Sequence, residues 1–270
     1  MTNQMTFVLS NEGHAHTFPL IKVLHESLTK FQKLQVVELG SLGKTLVLDN
    51  ILQLSELDDA KYHESMVHPV LNSLDSPSRT LVLGGGDGCL VREILKYDDI
   101  VVDLVEIDVE VIEASKKYLS SLNLDSFNDK RCVLHVEDAC QWALHCKEKY
   151  DAIFLDITDP QHDTPSEGIM SDEVMSAIFS LLKPGGIIIS QSDNFDLCPN
   201  QTYTWVEKFS KRFKKIEVYG IPCVSYGGSI NFTAASNGPG ITRKIKDGIS
   251  LKWLNQRRLE SLFDLYSLGE

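Results

Sequence analysis

Leu81-Val82-Leu83-Gly84-Gly85-Gly86-Asp87-Gly88 reads as a buried strand that runs into a glycine loop and opens a helix. Consecutive apolar residues suit a strand covered on both faces, and glycines permit positive φ and a close backbone approach to a ligand. Twenty residues past Gly86, Glu106 closes the next apolar run. A nucleotide-binding α/β fold places there the acid that pairs with ribose hydroxyls. Asp138, just past the third run, falls where an adenine amino group would be held.

The same alternation extends outward. Apolar strands are predicted at residues 80–83, 101–105, 131–135, 152–155 and 186–190. Amphipathic helices are predicted at 90–97, 110–119, 139–149 and 172–182. Strands near 216–218 and 229–235 complete a doubly wound parallel sheet. Before it, 31–38 and 44–48 flank Gly40-Ser41-Leu42-Gly43, a hairpin pattern followed by a short run at 51–54. The expected division is a small antiparallel β domain over 1–57 and an α/β domain over 58–270, the latter entered through a helix from Asp58 to Pro69. Gly40 to Thr45 imitates the end of a phosphate loop. It lacks the first glycine and the following helix, so it is read as a turn.

The 270 residues carry a net charge of −12, with 43% hydrophobic and 24% charged residues. Nucleic acid is not an expected partner, because binding it rests on Lys and Arg neutralising phosphates. An acidic surface suits a cationic small molecule. No apolar run approaches the roughly 18 residues of a membrane span, and the first residues do not form a secretory signal, so a cytoplasmic enzyme with no membrane partner is expected. The six cysteines include no Cys-x-x-Cys pair and are read as reduced thiols. The histidines lack zinc-ligand spacing, His14 and His16 lie in what reads as a polar leader, and no metal site is expected.

A second acidic signal is Tyr150-Asp151-Ala152-Ile153-Phe154-Leu155-Asp156-Ile157-Thr158-Asp159-Pro160. It puts two carboxylates at the carboxyl end of the fourth strand, the edge where open α/β sheets bind ligands.

Together these segments resemble the spermidine synthases over nearly the whole chain. The likeness includes Ser27 to Gln32, Leu48-Asp49-Asn50-Ile51-Leu52-Gln53, Tyr62-His63-Glu64 with His68-Pro69, the glycine loop with Arg92-Glu93, Glu106-Ile107-Asp108, Asp156 to Pro160, and Gln191. The resemblance implies a Rossmann-like S-adenosylmethionine-dependent transferase fold and a polyamine aminopropyltransferase. The co-substrate would be decarboxylated S-adenosylmethionine with no permanently bound cofactor, and the assembly a homodimer or homotetramer. Gln32, Gln53, Glu106 and Asp138 would hold the nucleoside, Asp87 the aminopropyl amine. Asp156 would be the base, and Asp159, Tyr62, His63, Gln191 and Tyr226 would position the acceptor, putrescine being the expected one. The chemistry agrees: an alkylammonium of pKa near 10.4 has no lone pair at pH 7, so a carboxylate must hold it and take its proton.

The chain departs from the family at Asp138-Ala139, where Asp-Gly is usual, and at Ile157-Thr158, where two serines are usual. Gln161 to Ser166 replaces the expected lid sequence, and Pro222-Cys223-Val224-Ser225-Tyr226-Gly227-Gly228 replaces Pro-Thr-Tyr-Pro-Ser-Gly. Two other readings stand beside the first. An N-methyltransferase on this scaffold would use intact S-adenosylmethionine, and a non-catalytic regulatory relative would use neither donor.

Overall fold

The computed structural model describes residues 3–9, 13–158 and 167–264, Glu167 by its backbone alone. Five strands, β1 (Gln4–Val8), β2 (Ala15–Leu28), β3 (Lys33–Leu39), β4 (Gly43–Leu48) and β5 (Ile51–Ser55), form an antiparallel sheet in sequence order. The supposed polar leader is therefore ordered: His16 pairs with Phe7 within β1 and β2, and β2 runs for 14 residues with two register shifts against β3. Its mixed burial pattern hid it, because a bulged strand loses the strict two-residue alternation.

Beyond it follow α1 (Asp59–Asn72), β6 (Arg79–Gly84), α2 (Cys89–Ile94), β7 (Val101–Glu106), α3 (Val109–Tyr118), α4 (Ser120–Asn123), β8 (Cys132–Val136) and α5 (Ala139–His145). Then come β9 (Tyr150–Asp156), α6 (Asp172–Ser180), β10 (Leu182–Gln191), α7 (Pro199–Ser210), β11 (Lys215–Cys223), β12 (Gly228–Ser236) and α8 (Gln256–Leu262). Helix α5 stops four residues short of the predicted 149, at Cys146, whose extended backbone ends the hydrogen-bonded turn. Helices α7 and α8 were not read from the sequence.

The seven strands order as β11-β12-β10-β9-β6-β7-β8. Six point the same way, while β12, the strand expected near 229–235 to complete a parallel sheet, runs antiparallel to both its neighbours. Side chains alternate between two cores: Val82 and Phe154 join α1, α2 and α8 on one face, and Leu81, Leu83, Ile153 and Leu155 join α6 and α7 on the other. Each such fully buried side chain contributes roughly 1.5–3 kcal/mol, which is why these strands read as unbroken apolar runs. The first sheet lays Leu34, Val36, Leu46 and Leu48 against Val111, Ala114 and Leu119 of the α3 region. That contact brings the turn between β2 and β3 to the tip of β7. Among the described residues, no helix is long and apolar enough to cross a membrane.

Candidate active site

Strand order leaves β6 toward β7 and β8 on one side and returns to β9 and β10 on the other, so the gap between β6 and β9 is a topological switch point. Gly84 and Asp156 end these two strands as register partners, and the Gly85 N–H donates to the Asp156 carbonyl at 2.9 Å. A Cβ on Gly84, whose φ is +82°, would lie 2.2 Å from that carbonyl oxygen. Only glycine fits there. A Cβ on Gly86 would sit 2.8 Å from Glu106 Oε2, so that glycine clears the space the Glu106 carboxylate occupies. Gly85 and Gly88 also adopt positive φ, and Gly88 starts α2.

Along this one sheet edge Gln191, Asp156, the loop bearing Asp87, Glu106 and Asp138 follow one another in spatial order. Tyr62 on α1 donates its hydroxyl to Asp156 Oδ1 at 2.8 Å. Burial, and then the charge of Asp87, push Asp156 up to about 6, against a smaller lowering by His63. Asp87 Oδ1 accepts from the Cys89 N–H at 2.7 Å and lies 3.9 Å from His63 Nε2. Burial pushes Glu106 up to about 7, although the N–H groups of Asp108, Ile107 and Gly86 donate to it. Asp138 caps α5, accepting from Cys140 and Gln141 through Oδ1.

The remaining expected residues arrive from other elements. Gln32 donates to Asp108 Oδ2 at 3.1 Å, beside Thr29, which donates to the same oxygen at 2.7 Å. Among the described residues Gln53 Nε2 donates to the Ile51 carbonyl at 3.4 Å, while the Gln53 backbone carbonyl accepts from the Tyr226 hydroxyl at 2.5 Å. Tyr226 stacks on Tyr62 with ring centroids 6.3 Å apart. These residues, with His63, Asp58 and Ser225, line a cavity of about 10 Å³. Gln191 donates to the Ile157 carbonyl at 3.3 Å and accepts from the Asp193 N–H at 3.0 Å. Asp159, like the whole stretch from Gln161 to Ser166, lies outside the described residues.

Sequence reasoning left roles unassigned to Asp59, Arg92 and Asp108, which contact the site from behind. The i, i+4 spacing of Asp59 and His63 on a helix was the available signal for the first. Ligating atoms of His63, Asp87 and Asp156 lie within 4.8 Å of one another, as do those of Asp59, His63 and Cys89. The Cys89 thiol is pushed well up by burial, so the second set lacks the thiolate a transition metal requires.

Residues 59–245 match the family described as "Spermine/spermidine synthase domain", and residues 6–56 match "Spermidine synthase tetramerisation domain". The chain belongs to the spermine/spermidine synthase family. Its family makes it an enzyme of the spermidine synthase kind. Polyamine aminopropyltransferase 2 of Hyperthermus butylicus is 33% identical over 229 residues, which cover 84% of this chain and 75% of that protein. The polyamine aminopropyltransferase of Thermococcus onnurineus is 31% identical over 258 residues, 94% and 90% of the two chains. A crystal structure of spermidine synthase with the transition-state analogue AdoDATO superposes with a TM-score of 0.90 at 24% identity, covering 97% of this chain and 91% of that one. Spermidine synthase from Thermotoga maritima gives 0.88 at 24% identity, covering 97% and 90%. These two likenesses establish the Rossmann-like fold with its antiparallel N-terminal sheet.

Proposed function

We propose that this enzyme transfers the aminopropyl group of decarboxylated S-adenosylmethionine to putrescine, giving spermidine and 5′-methylthioadenosine. The observation that carries this reading is Asp156: a half-buried carboxylate at the switch point, held by Tyr62 and sharing its gap with Asp87. Desolvation strengthens it as a base for the acceptor's ammonium proton. The freed nitrogen attacks the carbon beside the sulfonium, the carbon–sulfur bond breaks, and its electron pair leaves on a neutral thioether. Positioning of amine and sulfonium supplies much of the rate.

Glu106 and Asp138 hold the ribose and the adenine amino group, with Gln32 and Gln53 completing the nucleoside site. Asp87 faces the donor's free ammonium and disfavours the extra carboxylate of intact S-adenosylmethionine. Tyr62, Gln191, Tyr226 and Asp159 position the acceptor. Self-association through the first sheet accompanies this reading, since β2 leaves Ile21 62%, Val23 45% and Leu28 82% exposed. Light scattering should give a dimer or tetramer, and a monomer at micromolar concentration contradicts it.

The deciding assay is mass spectrometry of products from both donors with a panel of amines. Growth of putrescine by one aminopropyl unit, only from the decarboxylated donor, supports the proposal. Methylation from intact S-adenosylmethionine, or silence with both donors, overturns it; a different preferred amine replaces putrescine alone.

A further inference from the structure

His63 is 3% exposed and its two ring nitrogens face acids on opposite sides. Nδ1 lies 2.9 Å from both the backbone oxygen and the Oδ1 of Asp59, so it meets two acceptors and must carry a hydrogen. Nε2 faces Asp87 Oδ1 at 3.9 Å. Behind Asp59 stands Arg92, 6% exposed, whose Nη1 donates to both Asp59 oxygens at 3.1 and 2.9 Å and to the Leu122 carbonyl at 2.5 Å. Arg92 Nε is anchored in turn on Glu93 at 2.8 Å. The chain Glu93–Arg92–Asp59–His63–Asp87 therefore runs from the back of α2, through α1, to the glycine loop.

We infer that His63 is a resident imidazolium, oriented by the Asp59–Arg92 pair, that serves as the internal counter-ion of Asp87 and Asp156 and does not itself ligate substrate amines. An imidazolium has two N–H donors and no lone pair, so it has nothing to offer an ammonium. Its value lies in the acids it separates. Two carboxylates facing one gap tend to share a proton, and a protonated Asp156 is no base. A fixed cation beside them keeps both ionised before substrate arrives. The groups that face the ring are Asp59, Asp87, Asp156, Arg92 and the Cys89 thiol, which burial keeps protonated, with Tyr62 edge-on at 5.0 Å. Burial works against the charged ring, but the hydrogen bond to Asp59 and the charges of Asp87 and Asp59 push it up to about 9. Asp59 and Arg92 act through His63 and are positioning residues. This inference rests on the reading of Asp156 as the base.

The test begins with the intact enzyme labelled with ¹⁵N-histidine, the His63 signals being those lost in His63→Gln. Both ring nitrogens should show protonated, imidazolium shifts that stay constant from pH 6 to 8 without substrate. A lone-pair nitrogen shift anywhere in that range overturns the inference, whatever the product assay shows. Asp59→Asn should make the ring neutral by pH 8 and move the acid limb of the kcat/KM profile upward by about one pH unit, since Asp156 loses a nearby positive charge. Asp59→Glu should restore both. A uniform loss of rate at every pH, with the acid limb unmoved, marks a merely structural role and overturns the charge assignment. The wild-type spectrum, assigned through His63→Gln, decides even where the Asp59 variants fail to fold.

Discussion

Behind the glycine loop, Asp59 and Glu93 are buried acids that the chain neutralises with its own cations; in front of it, Asp87, Asp156 and Glu106 share far less positive charge. Burial alone would raise Asp59, but the hydrogen bond and charge of His63 and the charge of Arg92 hold it far below the usual carboxylate range. Glu93 is likewise brought down to about 2 despite burial, by His68 at 2.7 Å, by Arg92 and by Lys96 at 2.6 Å. In front, Asp156 and Glu106 are pushed up to about 6 and about 7. Acids left short of cations inside a fold are costly unless something else brings the charge. The proposed polycationic donor and acceptor would bring it, so the shortfall in front suits those substrates, whereas the acids behind are already paired with the chain's own cations.

The largest expected effect breaks the front set. Asp156→Asn should lower kcat by about 10³-fold, within the usual range for losing a general base, while the melting temperature stays level or rises. Steady-state kinetics beside thermal melts would show this; turnover within tenfold of wild type means the proton goes elsewhere. Next comes the rear set, where the effect should appear in stability. Arg92→Met leaves Asp59 and Glu93 facing an apolar side chain, and stripping one partner from a buried ion pair costs about 3–5 kcal/mol. Urea unfolding would read it. A loss under 1 kcal/mol would mean that these acids are neutralised without Arg92. Smaller again, Asp87→Asn should weaken donor binding about tenfold, the scale of one partly screened charge contact near 4 Å. Calorimetry with donor and with putrescine separately tests it, since acceptor affinity should change much less.

The two regions also differ in how far the sequence revealed them. Strands with unbroken apolar runs, the glycine loop and the acids ending β7 and β9 follow from local pattern, because the parallel sheet places all strand ends on one edge. The rear network did not. Asp59, Glu93 and Arg92 look like ordinary helix-surface charges until α1 and α2 pack together, and their pairing joins residues 33 apart in the chain. Strand β2 escaped notice for a related reason: its register shifts against β3 are set by the partner strand and leave only a broken alternation in its own sequence. Tyr226 is a third case. The family resemblance implied an acceptor contact, but only the fold shows that it bridges to the Gln53 carbonyl and stacks on Tyr62.

The smallest expected effect concerns pH, and it carries opposite signs in the two regions. Asp156 rises from its ordinary 3.8 to about 6 on folding. A raised carboxylate costs nothing below its unfolded value and progressively destabilises the fold as pH climbs through the folded one. Asp59 and Glu93, held low, do the reverse: their contribution is full above about pH 5 and is lost as the solution is acidified. The full Asp156 shift corresponds to about 3 kcal/mol by linkage, but its side chain is only half-buried, so solvent reduces it. Between pH 4.5 and 7.5 the ligand-free wild type should therefore lose about 1 kcal/mol relative to Asp156→Asn, read from paired urea midpoints. In that difference the rear acids cancel, which isolates the front. Adding the decarboxylated donor should stabilise the wild type more at pH 7.5 than at 5, because Asp156 and Glu106 meet its charges and hydroxyls ionised only at the higher pH. An equal ligand shift at both would mean that the front acids are already compensated, and the contrast between the two regions would collapse.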